Sequence, residues 1–212
     1  MNIGYNEKSA DIIVGSLVNR IAWSTGNNLD IIPLNLIKEG VASYERRGKE
    51  IGLSRLKWSM AITMDDAENQ INQQSNLVRM AIVWDKFPNG KEEPKFLDIF
   101  SSVDLYGVRS SFTLDDINVF NDHRFDILHD EIIELNPTFP IVSNGSNMVM
   151  KSLRGSLNLM GLKTIFNGNQ EFMTNKVIST GALYMVFRVL NNNINAIARV
   201  HVSSRARLYY FD

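Results

Sequence analysis

The stretch Ile51-Gly52-Leu53-Ser54-Arg55-Leu56-Lys57-Trp58-Ser59-Met60-Ala61-Ile62-Thr63-Met64 decides the fold class. Leu56, Trp58, Met60, Ile62 and Met64 fall on one side of an extended chain, and Arg55, Lys57, Ser59 and Thr63 on the other. Alternation of this kind is a strand with one face on a core and the other in water or against a charged partner. The end of the chain repeats it over 198–211. There Val200, Val202, Ala206, Leu208 and Tyr210 share one face, and Arg199, His201, Ser203, Arg205 and Arg207 share the opposite one.

Outward from these two segments, short apolar runs broken by Gly, Asn, Asp, Pro and Ser predict further strands at 12–24, 77–84, 124–134, 148–165 and 182–190. A shorter strand is expected near 172–178 and an extended piece at 29–34. The 182–190 segment is apolar on almost both faces, which predicts a central or interface position. Helix is limited to short turns at 64–73, 94–102 and 113–119, the last with Thr113 as a cap and Asp115 and Asp116 in its first turn. This pattern predicts an all-β fold, an antiparallel jelly-roll sandwich of about eight strands with long loops. The chain's 212 residues suit a single domain of that kind, and a 44% hydrophobic composition is enough to fill its core. Residues 1–42 read as an N-terminal segment, partly a first strand and otherwise an inner arm or interface. Residues 43–212 read as the jelly roll itself.

Composition removes several function classes. There is no cysteine, hence no disulfide, thiolate chemistry or Cys-based metal site. No apolar run approaches the ~20 residues of a membrane helix, and Met1 to Lys8 lack a signal-peptide layout. No Gly-x-Ser-x-Gly, phosphate-cradling loop or His-Glu-x-x-His pattern is present, so neither an enzyme nor a cofactor is expected. His123 and His129, six apart with Asp122, Asp126 and Asp130 nearby, are a poor metal set and read more simply as exposed polar positions. Asp65, Asp66 and Glu68 are weak candidates for a hard cation such as calcium; acidic residues at a helix start explain them as well. Asn144-Gly145-Ser146 reads as a turn. Charge is uneven: residues 61–140 carry 6 Lys/Arg against 15 Asp/Glu, whereas residues 141–212 carry 8 against 2. Opposite signs on two parts of the chain predict two surfaces of different character.

Several blocks are similar, in order, to one family. Ser43-Tyr44-Glu45-Arg46-Arg47-Gly48-Lys49-Glu50-Ile51 resembles a Tyr-x-Arg-x-Gly stretch leading into an early strand, one residue short of the usual spacing. Val78 to Gly90, ending Trp84-Asp85-Lys86-Phe87-Pro88-Asn89-Gly90, resembles a strand and an Asp-Lys/Arg-x-Pro-x-Gly turn, followed by Asp98-Ile99-Phe100. Asn118 to Leu135, through Asp122-His123-Arg124-Phe125-Asp126-Ile127-Leu128-His129-Asp130, resembles an Asp-Arg-Phe-x-Val-Leu strand. Ala182 to Met185, and Arg205-Ala206-Arg207-Leu208-Tyr209-Tyr210-Phe211-Asp212, resemble the closing strands. The family is the capsid proteins of circular single-stranded DNA viruses that encode a rolling-circle replication initiator, the geminivirus, nanovirus and circovirus coats among them. The chain departs from it at the start: where such coats carry an arginine-rich arm, residues 1–42 hold only Lys8, Arg20 and Lys38, with the apolar Ile12-Ile13-Val14, Leu17-Val18 and Ile21-Ala22-Trp23.

The resemblance implies a viral coat protein that self-assembles into a small icosahedral shell, T=1-like and of about 60 copies. It implies a single-stranded DNA genome inside, a location in the virion and, during assembly, the host nucleus, an unknown host receptor, and no membrane partner. Packaging a polyanion requires inward positive charge. The candidates are Arg46, Arg47 and Lys49 in a loop, Arg55, Lys57, Arg199, Arg205 and Arg207 on polar strand faces, and Lys151, Arg154 and Lys163. Tyr44, Tyr209 and Phe166 are candidate stacking partners for unpaired bases. Phe87, Phe96, Phe100, Phe139 and Pro140, read as loop residues, are candidate contacts between copies. For the cations the plainer alternative is solvated edge charge; for the aromatics it is burial over their own sandwich. The competing function is a lectin-like carbohydrate-binding jelly roll, which needs exposed aromatic residues on a concave sheet.

Overall fold

The computed structural model describes residues 7–17, 31–64, 76–88, 93–101, 116–118, 120–135, 149–167, 177–190 and 200–212. In chain order the elements are β1 (Lys8–Leu17), β2 (Ile31–Pro33), β3 (Glu50–Met64), β4 (Asn76–Asp85), α1 (Phe96–Ile99), β5 (Phe100–Ser101), β6 (Asp116–Ile117), β7 (Phe125–Leu135), β8 (Val149–Asn158), β9 (Lys163–Phe166), β10 (Ile178–Thr180), β11 (Ala182–Leu190) and β12 (Val200–Phe211). The pairing is nested. β1 pairs with β12, β2 with β11, β3 with β8 and β4 with β7, all antiparallel. A long ribbon doubled back on itself and rolled up gives this nesting, and rolling adds the pairs β12–β3 and β11–β4. The result is a jelly roll of two facing sheets, one ordered β1-β12-β3 with β8 beyond β3, the other β2-β11-β4-β7. The short β9 and β10 extend the first sheet from the opening residues of β3, and β5 and β6 form a separate two-stranded ribbon.

Residues set apart in sequence as an N-terminal segment therefore supply a strand to each sheet, at its edge in both cases. The expected strand 148–165 is two strands. Leu159 to Leu162 form the turn between them, and Gly161 sits at φ +95°, which favours glycine. The expected helical turn at 94–102 is a single turn, 96–99, running directly into β5. At 113–119 the described residues 116–117 form a strand, because Phe100 and Ile117 pair across the ribbon. The turn expected over 64–73 lies outside the described residues except for Met64, which ends β3.

Apolar residues reach the core on both halves of β3, although their phase changes. Ile51 and Leu53 point inward, and so do Leu56, Trp58, Met60 and Ile62. The change is made by a bulge: Tyr209 pairs with Arg55 but Tyr210 with Leu53, leaving Ser54 as the extra residue. Opposite Trp58 lies Gly155 of β8, where an added Cβ would sit 2.0 Å from the indole Cζ2, so the missing side chain makes room for the ring.

The central strands of the second sheet, β4 and β11, are buried on both faces. Val78 to Asp85 and Ala182 to Phe187 are all buried, as the double-sided apolar pattern of 182–190 predicts for a central strand. One face packs on the first sheet. On the other, Arg79 stacks over the Phe100 ring at 4.0 Å and Arg188 over Phe96 at 4.3 Å, so the α1–β5 segment covers its own sheet. Charges beneath this cover are paired: Arg79 with Asp130 at 2.6 Å, and Arg124 with the fully buried Asp85 at 2.6 Å.

Asn35 joins the sheets at one end. It is fully buried; its Nδ2 donates to Thr164 Oγ1 (2.7 Å) and the Gly181 carbonyl (2.9 Å), and its Oδ1 accepts from the Leu183 N–H (2.9 Å). Thr164 belongs to the first sheet and Leu183 to the second. Asn35→Ala orphans the Leu183 N–H in a dry site and is expected to cost about 1–3 kcal/mol. Urea unfolding checks this: the midpoint should fall with the slope unchanged, and an unmoved midpoint would show that the amide staples nothing.

Candidate nucleic-acid interface

The first sheet has one face on the core and one outward. Pairing register lines up the outward residues in rows. Asp11, Arg207, Lys57 and Ser156 form one row across β1, β12, β3 and β8. Arg205, Ser59 and Arg154 form the next across β12, β3 and β8, and Ser9, Tyr209, Arg55 and Asn158 the one on the other side. The face thus collects Arg55, Lys57, Arg154, Arg205 and Arg207 from strands far apart in sequence. β8 and β12 contain no carboxylate.

Among the described residues two acids pair with the cations of this face, both from the start of the chain. Asp11 receives Arg205 Nη2 at 2.6 Å, Arg207 Nε at 2.5 Å and Arg207 Nη2 at 2.8 Å. Glu7 pairs with Arg55 at 3.0 Å and accepts from Ser54 Oγ at 2.6 Å. No carboxylate among the described residues pairs with Lys57 or Arg154. The Arg55 guanidinium lies 4.1 Å from the Tyr209 ring centre and Lys57 Nζ 5.7 Å from it, so the ring sits between cations. Hydrogen bonds from Arg207 and then Arg205 hold the Asp11 carboxyl well below the ordinary carboxylate range, against a small opposing effect of burial. The same interaction, with Asp11 as its largest cause, raises Arg207.

Other candidate cations sit elsewhere. Arg46 is buried: its Nε donates to the Ile37 carbonyl (3.1 Å), it donates to the Gly48 carbonyl, pairs with Glu39 (3.0 Å) and stacks on Phe166 at 4.2 Å. Both Arg46 and Phe166 are therefore internal, a correction to their reading as ligands for nucleic acid. Arg47 and Lys49 are exposed in the loop before β3, where the Arg47 N–H donates to Asp212 (2.7 Å). Lys163 pairs with Glu50 at 2.7 Å. Lys151 is exposed but stands opposite core-facing Ile62, on the other parity from Arg154. Tyr44 is exposed in the loop before β3, on the groove that Asp11 borders, and Tyr209 is the aromatic candidate on the strands of the face. Arg199 lies outside the described residues.

Among the proposed contacts between copies, Phe100 is fully buried in its own subunit and Phe96 is half-buried against it at 5.0 Å, which corrects their reading as free loop residues. Phe87 is exposed. Phe139 and Pro140 lie outside the described residues, as do Asp65, Asp66, Glu68 and the Asn144–Ser146 turn. Leu97, Ile117 and Phe120 are exposed in the stretch between β4 and β7 that also holds Phe96; no periodicity marks them, because the helix and strand that carry Leu97 and Ile117 are only four and two residues long. His129 faces the core at 5.2 Å from Trp58, whereas His123 is exposed before β7 begins, and a bulge at Leu128 breaks the strand's parity. No group of three or more His, Cys, Asp or Glu among the described residues is placed to hold a metal ion.

No protein-family model matches the chain, and no curated protein matches it.

The Asp11 link has a defined pH behaviour. Its folded pKa is depressed, so its stabilisation is complete above the unfolded carboxylate value of about 3.9 and is lost as pH falls through the lower folded value. The melting-temperature gap between the native chain and Asp11→Asn should be constant from pH 8 to pH 5 and close only in stronger acid. A gap that opened or closed near neutrality would contradict the geometry.

Proposed function

We propose that this chain is a coat protein that self-assembles into a closed icosahedral shell, with the outward face of the first sheet lining the interior against single-stranded DNA. The observation that carries the reading is that face: five cations gathered from β3, β8 and β12, opposed only by Asp11 and Glu7 among the described residues. Positive charge at this density supplies sequence-independent affinity for phosphates. It sits on rigid strands and takes the place, in charge, of the basic arm that residues 1–42 lack.

Self-association is supported by other surfaces. Phe87, Leu97, Ile117 and Phe120 expose large apolar side chains beside the covered sheet. The edge strand β7 is acidic, with Asp126 and Glu134 exposed and Glu131 half-exposed. A subunit acidic on one side and basic on another favours unlike patches meeting, the kind of contact that builds rings and shells. The sequence resemblance to single-stranded DNA virus coats points the same way. The lectin-like alternative draws less support: Trp58 and Trp84 are buried, and no tryptophan is exposed among the described residues.

Size-exclusion chromatography and negative-stain microscopy of the purified chain test the reading. Megadalton spherical particles are expected, carrying nuclease-protected nucleic acid. Monomers or small oligomers at every salt and pH tried would defeat it. Replacing Lys57, Arg154, Arg205 and Arg207 together by Gln should leave the core intact and flatten the salt dependence of single-stranded DNA binding. The log–log slope should drop by about 0.7 for each cation that no longer neutralises a phosphate.

A further inference from the structure

Arg205 and Arg207 converge on one carboxylate with the geometry that guanidinium groups use for any two-oxygen anion. Resting on the nucleic-acid reading above, we infer that Asp11 is an internal stand-in for a phosphate, and that a single strand binds this face by displacing it.

The stand-in is placed to be displaced. Both arginines and Asp11 are on the surface, with side chains 61%, 44% and 30% exposed. Asp11 belongs to β1, an edge strand held in the first sheet through β12 alone. It borders an open groove of about 700 Å³, lined also by Ser9, Leu36, Lys38, Tyr44 and Glu45. Next along β12, two residues on, Tyr209 offers a ring flanked by Arg55 and Lys57. Alternate residues on a strand stand about 7 Å apart, close to the phosphate-to-phosphate step of a stretched single strand. The line Arg205, Arg207, Tyr209 therefore fits an extended chain with accessible bases better than a duplex, whose bases are stacked inside.

Displacement exchanges one anion for another on the same two cations. The carboxylate therefore competes with the polynucleotide, weakening its binding while keeping the empty face from being bare positive charge. The exchange also removes one side-chain anchor of β1, the other being Lys8 on Asp212 and the Glu45 carbonyl at the start of the strand.

Fluorescence anisotropy with a labelled oligo-dT, at several salt concentrations, tests the competition. Asp11→Asn should bind several-fold tighter than the native chain; Asp11→Ser covers the case in which Asn unsettles the edge strand. Tyr209→Leu should weaken oligo-dT binding while leaving binding to a duplex of equal length nearly unchanged. Hydrogen exchange on the unaltered chain supplies an independent readout: amides of Ala10 to Ile12 should exchange faster when oligo-dT is bound. If the native chain binds oligo-dT but neither Asp11 variant, folded by melting, binds tighter, or if β1 becomes better protected on binding, the stand-in is refuted and the packaging face survives. If neither the native chain nor the variants bind oligo-dT at low salt, the packaging reading falls and this inference with it.

Discussion

The register of β12 against β3 is the constraint on which the rest depends. Twelve residue pairs join these strands, from Val200 with Met64 to Phe211 with Gly52. Each pair assigns a side chain to the core or to the outward face. A slip of one residue would bury Arg205 and Arg207 and expose Ala206 and Leu208. Burying unpaired guanidinium groups costs far more than a ladder bond returns. Core and basic face are therefore two consequences of one alignment, and the bulge at Ser54 lets it hold along the whole of a 15-residue strand.

The two sheets solve different problems. The first packs one face on the core and leaves the other to solvent, so its strands alternate. The second is apolar on both faces at its central strands, β4 and β11, and there needs a second cover. The chain supplies that cover from the stretch between β4 and β7, with Phe96 and Phe100 beneath stacked arginines. Cation–π stacking, joined at Arg79 by the Asp130 carboxylate, lets Arg79 and Arg188 lie against aromatic rings. The cover in turn exposes Leu97, Ile117 and Phe120, so exposed apolar surface follows from the way the second sheet is closed.

Charge follows the same division. Among the described residues, the acidic middle of the chain supplies β7 and the basic end supplies β8 and β12. Their separation onto different parts of the sandwich gives each copy a polarity that neither net charge nor pI reveals, since the whole chain sums to −1. The acids that do reach the basic face come from residues 7 and 11, brought there because β1 pairs with β12.

Alternation in 51–64 and 198–211 is enough to determine that these segments are strands, and over 55–63 and 200–210 which side chains enter the core and which stay outside, because a strand's two-residue period is set locally by backbone geometry; the bulge at Ser54, which turns Ile51 and Leu53 inward, comes from pairing with β12. The double-sided apolar run at 182–190 likewise marks a strand covered on both sides. Tertiary structure alone decided which of many cations matter together. Arg46 and Lys49 look equivalent in sequence, yet Arg46 is enclosed by the Ile37 and Gly48 carbonyls, Glu39 and Phe166, while Lys49 stays in water. Phe100 reads as a loop aromatic until the sheet it must cover is known. Asp11 gives no local sign of meeting Arg205 and Arg207, 194 and 196 residues away. Strand character is a property of neighbours in the chain, whereas pairing partners and burial depend on how remote segments are brought together.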